Sequence, residues 1–120
     1  MNLHILKSKI HRARLTQCDL EYEGSLGIDT RLMQAAGILP YERILVVNAT
    51  NGERLETYAI PEAEGSRTFC LNGAAARRGE PGDMVTIMSF AVVEQSEAAH
   101  FAPKMITLDR QNEIVKQQGG

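Results

Sequence analysis

The stretch Arg43-Ile44-Leu45-Val46-Val47-Asn48-Ala49-Thr50-Asn51-Gly52-Glu53-Arg54-Leu55-Glu56-Thr57-Tyr58-Ala59-Ile60 makes the clearest structural statement in the chain. Its apolar run, Ile44-Leu45-Val46-Val47, has the length and β-branched content of a buried strand. Asn51-Gly52 follows, the pair best able to take the positive φ of a two-residue type I′ turn. Residues 53–60 then return as the partner strand. Alternation along them sets Arg54 and Tyr58 on one face and Thr57 on the other. A site that uses all three needs a bulge or twist in this strand, or a position between subunits.

Working outward, residues 7–16 read as extended. Alternation sets Lys9, His11, Ala13 and Leu15 on one face and Ser8, Ile10, Arg12 and Arg14 on the other. Two cations beside apolar neighbours suit either an anion site or a solvated edge strand. Asp29 caps a short helix with Leu32, Met33 and Ala36 at helical spacing, and Gly37 stops it. Beyond the hairpin, Gly65-Ser66 is a turn in a polar loop, and residues 68–72 form a short strand. Asn72-Gly73-Ala74-Ala75-Ala76 offers small side chains and successive N–H groups, the makings of an anion nest or of a plain helix start. Residues 84–94 are a long apolar strand and 104–109 a further one, while Gln117-Gln118-Gly119-Gly120 reads as a frayed tail. Short strands joined by Gly-rich turns, with few helices, imply a closed, mainly β single domain.

Composition narrows the function. The 120 residues are 43% hydrophobic and 23% charged, as in an ordinary globular domain. A net charge of -2, no Trp and only three Phe and three Tyr argue against a nucleic-acid partner. No apolar run reaches the length of a membrane span and the N-terminus lacks a signal-peptide core, so a cytoplasmic chain without a membrane partner is expected. Cys18 and Cys70 form no Cys-x-x-Cys pair and no His stands at ligand spacing. They read as buried or incidental thiols, with no metal site.

Chemistry concentrates in Tyr22-Glu23-Gly24-Ser25-Leu26-Gly27-Ile28-Asp29. Ser25 follows a glycine, whose missing Cβ permits strained backbone and close approach. Its hydroxyl can attack the Gly24 carbonyl carbon and turn the amide into an ester, given a donor for the developing oxyanion. Elimination and hydrolysis would then break the chain and leave a pyruvoyl ketone at position 25. Alone, the same dipeptide is also an ordinary polar turn.

The company of this stretch is specific. Lys9-Ile10-His11-Arg12, Tyr22-Glu23-Gly24-Ser25, Ile28-Asp29, Asn51-Gly52, Thr57-Tyr58-Ala59-Ile60, Gly65-Ser66-Arg67, Asn72-Gly73-Ala74-Ala75-Ala76 and Gly82-Asp83 occur in this order. The series closely resembles the aspartate 1-decarboxylase family of self-processing pyruvoyl enzymes, over residues 7–90 and weakly to 109. The resemblance implies a six-stranded double-psi β-barrel with short helices, assembled as a homotetramer. It implies self-cleavage into a small chain, 1–24, and a large chain, 25–120, either spontaneous or aided by a maturation factor. The activity implied is decarboxylation of L-aspartate to β-alanine for pantothenate, through a Schiff base on a pyruvoyl group made from Ser25, with neither metal nor pyridoxal phosphate.

Residue roles follow from the same resemblance. Gly24 ends the small chain and Ser25 becomes the cofactor. Tyr58 matches the proton donor, and Thr57 a residue of binding and self-cleavage. Arg54 and the N–H groups of Gly73, Ala74 and Ala75 match partners of substrate carboxylates. Lys9, His11, Tyr22 and Asn72 match pocket residues. Cys18, Leu26-Gly27 and Val47 stand at undistinctive positions, and residues beyond Phe90 match poorly. The competing class is an unprocessed β-barrel that binds or packs without catalysis; it would not require these motifs together.

Overall fold

The hairpin lies at the middle of the strand order in a computed structural model that describes residues 1–119. Strands β4 (Arg43–Asn48) and β5 (Arg54–Glu62) pair antiparallel without interruption, from Arg43 opposite Tyr58 to Val47 opposite Arg54. Ile44, Val46 and Ala59 are buried, each larger side chain contributing roughly 1.5–3 kcal/mol by leaving water. The turn differs from the two-residue expectation. Asn48 N donates to Glu53 O at 2.8 Å, so the loop spans residues 49–52. The Asn48 side chain is the cause: its Oδ1 accepts from Thr50 N at 2.9 Å and Asn51 N at 3.3 Å. This Asx-type turn absorbs the extra residues, and only Gly52, at φ 79, takes the left-handed conformation there.

Strand β1 (Asn2–Arg14) pairs antiparallel with β7 (Met84–Glu94), which also pairs with β4. The simple alternation read from the sequence fails at its C-terminal end. Ile10 faces Ile87 and Ala13 faces Val85, so His11 and Arg12 together stand opposite Thr86. Arg12 has φ 64, and this bulge reverses the inside and outside positions. Ala13 and Leu15 are therefore buried along with Ser8 and Ile10, leaving Lys9 and His11 on the other face.

Strand β3 (Ser25–Asp29) lies between β5, parallel, and β6 (Phe69–Asn72), antiparallel. All five of its residues are buried, as expected of a strand covered on both faces. Asp29 then caps α1 (Thr30–Ala36) by accepting from Arg31 N at 2.8 Å. The same carboxylate accepts from Gly65 N at 3.0 Å and Arg67 N at 2.7 Å, which ties down the exposed Gly65-Ser66 turn. Leu32, Met33 and Ala36 join the core with Leu26, Ile28, Phe69 and Leu71, and Gly37 ends the helix at φ 73. A 3-10 helix (Gly73–Arg78) follows β6, and a one-turn helix α2 (Gln95–Ala98) follows β7.

Two short strands carry no clear sequence pattern: β2 (Gln17–Asp19), parallel to β6, and β9 (Ile114–Gln118), antiparallel to β8 (Lys104–Leu108). The expected frayed tail is thus partly strand, with Gln117 paired to Ile106 and Gln118 to Met105. Backbone pairing holds these glutamines irrespective of their polarity; Gly120 lies outside the described residues. The nine strands run β2-β6-β3-β5-β4-β7-β1-β8-β9. Among the described residues β2 and β9 do not pair with each other, so this order does not close end to end; the chain is mainly β with few short helices.

Candidate active site

Ser25 opens β3 and faces Asn72, the last residue of β6, in the antiparallel register. Both are buried, at 1% and 2% exposure. Ser25 Oγ donates to Glu23 O at 3.0 Å and accepts from Asn72 Nδ2 at 3.1 Å. The serine side chain is thereby folded back onto its own approach segment, next to the peptide bond it could attack. Asn72 Oδ1 accepts from the Cys70 thiol at 3.0 Å. Because its amide is spent on these two neighbours, Asn72 makes no side-chain cap to the 3-10 helix that it precedes.

Gly73 presses on the same junction. It sits at φ 73, and a Cβ built on it would lie 2.6 Å from Gly24 Cα, 2.7 Å from Gly24 N and 3.2 Å from Tyr22 O. Only a glycine permits this approach. Beyond it, Ala74 is exposed and Ala75 half-buried, and the first N–H groups of a helix have no partner within the helix.

Thr57 and Tyr58 lie on β5, the parallel neighbour of β3. The parallel pairing of β5 with β3 begins at Leu26 opposite Ala59, so Tyr58 and Thr57 stand one and two residues before the first pair, as Ser25 and Gly24 do on the other strand. Thr57 and Tyr58 are half-buried, and the Tyr58 ring lies 6.3 Å from that of Tyr41. The strand has no bulge between Arg54 and Tyr58, so Arg54 and Tyr58 share one face and Thr57 the other, as alternation predicts. Arg54 is exposed, and its carbonyl accepts from Arg78 Nη1 at 3.2 Å.

Lys9 and His11 are not brought to Ser25 within the chain. They lie on β1, separated from β3 in the strand order by β7, β4 and β5. His11 Nδ1 is buried without a hydrogen-bond partner among the described residues. Burial, then the charges of Lys9 and Arg12, lower its pKa, which favours the neutral imidazole. Tyr22 is exposed, and its carbonyl oxygen would lie 3.2 Å from a Cβ built on Gly73. A cavity of about 760 Å³ lies by Arg14, Arg67 and Arg110, and another of about 500 Å³ by His4, Glu56 and Phe90. None of the expected site residues lines either one.

Two contributors were missed in the sequence. Cys70 reads as a buried or incidental thiol and is indeed buried, but its place two residues before Asn72, on one face of a strand, points further. Glu23 contributes through its carbonyl, which no side-chain pattern reveals. Among the described residues no group of three or more His, Cys, Asp or Glu could hold a metal, and no helix is long and apolar enough to cross a membrane.

A mainly β chain that spends a buried Ser-Asn pair and a clamped glycine on one peptide junction has the makings of a small enzyme rather than of a packing module. Comparison with known proteins gives its kind. A family profile described as aspartate decarboxylase matches residues 1–115, well past Phe90 where the motifs thin out. The aspartate 1-decarboxylase of Chlorobium chlorochromatii is 55% identical over 112 residues, 93% of this chain and 87% of the relative. That of Salinibacter ruber is 50% identical over 116 residues, 97% and 80%, and that of Pelotomaculum thermopropionicum 50% over 120 residues, 100% and 91%. The chain belongs to the aspartate decarboxylase family.

Proposed function

We propose that this chain decarboxylates L-aspartate to β-alanine, in the supply of pantothenate, with a pyruvoyl group that it makes from its own Ser25. Family membership carries the reaction. The observation that carries the cofactor is the junction itself: a buried serine hydroxyl held by Asn72, behind a glycine that Gly73 clamps. In the making step, Ser25 Oγ bonds to the Gly24 carbonyl carbon, the Gly24–Ser25 C–N bond breaks, and the hydroxyl proton passes to the freed nitrogen. The Cα proton and the ester oxygen of Ser25 then leave, giving the Gly24 carboxylate and an enamine. Water replaces its nitrogen as ammonia. The products are residues 1–24 and 25–120, the latter opening with a ketone. Thr57, as far before the first β3–β5 pair as Gly24, is the candidate donor to the oxyanion.

The residues present fit such a group. Asn72 and the Gly73 backbone would hold it where the serine stands, and no side chain crowds Gly24. When formed, a pyruvoyl ketone supplies an electrophilic carbonyl that takes up the electron pair released with carbon dioxide. The chain's own task is to bind and to move one proton. Tyr58, as far before the first β3–β5 pair as Ser25, is the candidate acid that protonates the substrate carbon. The Arg54 guanidinium and the N–H groups of Gly73, Ala74 and Ala75 are the candidate carboxylate partners.

Because β5 is regular between Arg54 and Tyr58, and Lys9 and His11 stand on a distant strand, we place the complete site between subunits of a homotetramer. The parallel pairs β1–β8, β2–β6 and β3–β5 require crossover connections, which support the six-stranded double-psi barrel as the inner frame. The reading includes a cytoplasmic location.

Intact mass and product formation test it together. The wild-type chain should appear as fragments 1–24 and 25–120, the larger with a pyruvoyl end, and should convert L-aspartate to β-alanine. Ser25→Ala should remain one uncut, inactive chain. Cleavage that persists in this variant would identify another serine, and fully cleaved wild-type protein that forms no β-alanine would overturn the reading.

A further inference from the structure

We propose that Cys70 is a positioning residue for cleavage of the Gly24–Ser25 bond: its thiol fixes the Asn72 side chain with the amide nitrogen turned toward Ser25. The proposal rests on the self-processing read above. It starts from a question of direction. An asparagine amide can offer Ser25 either a donor or an acceptor, and the two ends are nearly alike in shape. The serine hydroxyl settles its own end, since its single proton goes to Glu23 O at 3.0 Å. It can therefore only accept from Asn72, which must present Nδ2, at 3.1 Å.

That orientation leaves Asn72 Oδ1 pointing the other way, into a buried setting where an unpaired carbonyl is costly. The only side-chain donor to it among the described residues is the Cys70 thiol, at 3.0 Å. The hydrogen bonds thus run one way, from Cys70 to Asn72 to Ser25 to Glu23 O. Reversing any one of them reverses or breaks the rest. Burial, with Glu62, Asp19 and Cys18 nearby, pushes the thiol pKa up, so the donor keeps its proton in the neutral range.

The consequence is at the nucleophile. With Nδ2 engaged, Ser25 keeps its proton on a carbonyl acceptor and its side chain folded back over the peptide bond. If the amide turns over, Oδ1 competes for the serine proton and draws the hydroxyl away from Glu23. A thiol is a weak donor, but it has only to tip a choice between two nearly equal orientations. Cys70 lies two residues from Asn72 on one strand, so this bias costs little additional ordering.

The test is the rate at which freshly translated full-length chain is cut, followed by intact mass, in wild type, Cys70→Ala and Cys70→Ser. Thermal unfolding of each uncut chain is read alongside. Cys70→Ala should slow cleavage by about two- to fivefold, the lower part of what one neutral hydrogen bond carries. Cys70→Ser, which keeps an O–H donor, should restore it. Equal rates in wild type and Cys70→Ala overturn the proposal, as does equal slowing by Ala and Ser, which would mark a packing role. Should Cys70→Ala fail to fold, Cys70→Val, close in shape and without a donor, takes its place with the same outcomes. A wild-type chain that stays uncut even with cell extract removes the self-processing reading itself, and this proposal with it. A cut wild type beside an unaffected Cys70→Ala removes only the role of Cys70.

Discussion

A Cβ placed on Gly73 would fall 2.6 Å from the Cα of Gly24, closer than real Cβ atoms come to any neighbour. The atom in the way is backbone, so no side chain can swing aside. Gly73→Ala also forces an L-residue to φ 73. Together these should destabilise the chain by about 1–3 kcal/mol and shift the Gly24 backbone relative to the Ser25 hydroxyl. The expected outcome is a folded chain with a lowered unfolding midpoint that remains uncut; normal cleavage in Gly73→Ala would show that the clamp is not needed.

Tyr58→Phe keeps the ring and removes only the phenolic hydroxyl, the group that would supply the proton. Cleavage should proceed, while kcat falls about 100-fold or more, in the range of a lost general acid. Near-normal turnover in a fully cleaved Tyr58→Phe protein would remove Tyr58 as the proton donor.

Arg54→Lys keeps a charge and loses the planar fork that grips a carboxylate at two points. KM for L-aspartate should rise by about tenfold with little change in kcat. An unchanged KM would mean that the exposed guanidinium does not meet substrate.

His11 gives a pH dependence. Its pKa is lowered in the folded chain relative to the ordinary 6.5, so the unfolded chain binds the proton more readily. The resulting term is absent as a penalty above pH 6.5 and grows as pH falls from there through the lowered value. Acidification from pH 7.5 to 5.5 should therefore destabilise wild type more than His11→Gln. Equal losses in urea unfolding at the two pH values would show that His11 is not the group responsible.

Much of the frame was legible because periodic burial writes itself into sequence. Ile44 and Val46, the long β7 and the Asp29-capped α1 all carry apolar spacing or a capping residue, and each stands where it was expected. The bulge at Arg12 was not legible. An arginine at φ 64 looks like any other strand residue until its register with Val85 and Ile87 is known. Strands β2 and β9 escaped for a related reason, since they are held by backbone pairing that leaves no trace in polarity.

The site divides in the same manner. Gly24-Ser25 and Asn72-Gly73 could be singled out as motifs, but their facing each other across β3 and β6 is a long-range register that no local pattern encodes. The alternation of Arg54, Thr57 and Tyr58 was read correctly; for a site that uses all three it left a bulge, a twist or a position between subunits. The unbroken pairing of β5 with β4 shows no bulge there and leaves the other two open.

The pairing of β1 bears on what a break after Gly24 would do. Its residues are stitched antiparallel to β7 and in parallel to β8, while β3 is held from its first residue by β6. A cut at that point would free two chain ends and release neither piece. The cut protein would hold together as two interlocked polypeptides, and its assembly from separated pieces would become a meeting of two molecules. Regain of structure after denaturation should then depend on protein concentration, whereas the uncut chain would fold alone. An uncut chain would thus be the form suited to folding, and a cut one would have to be made after it.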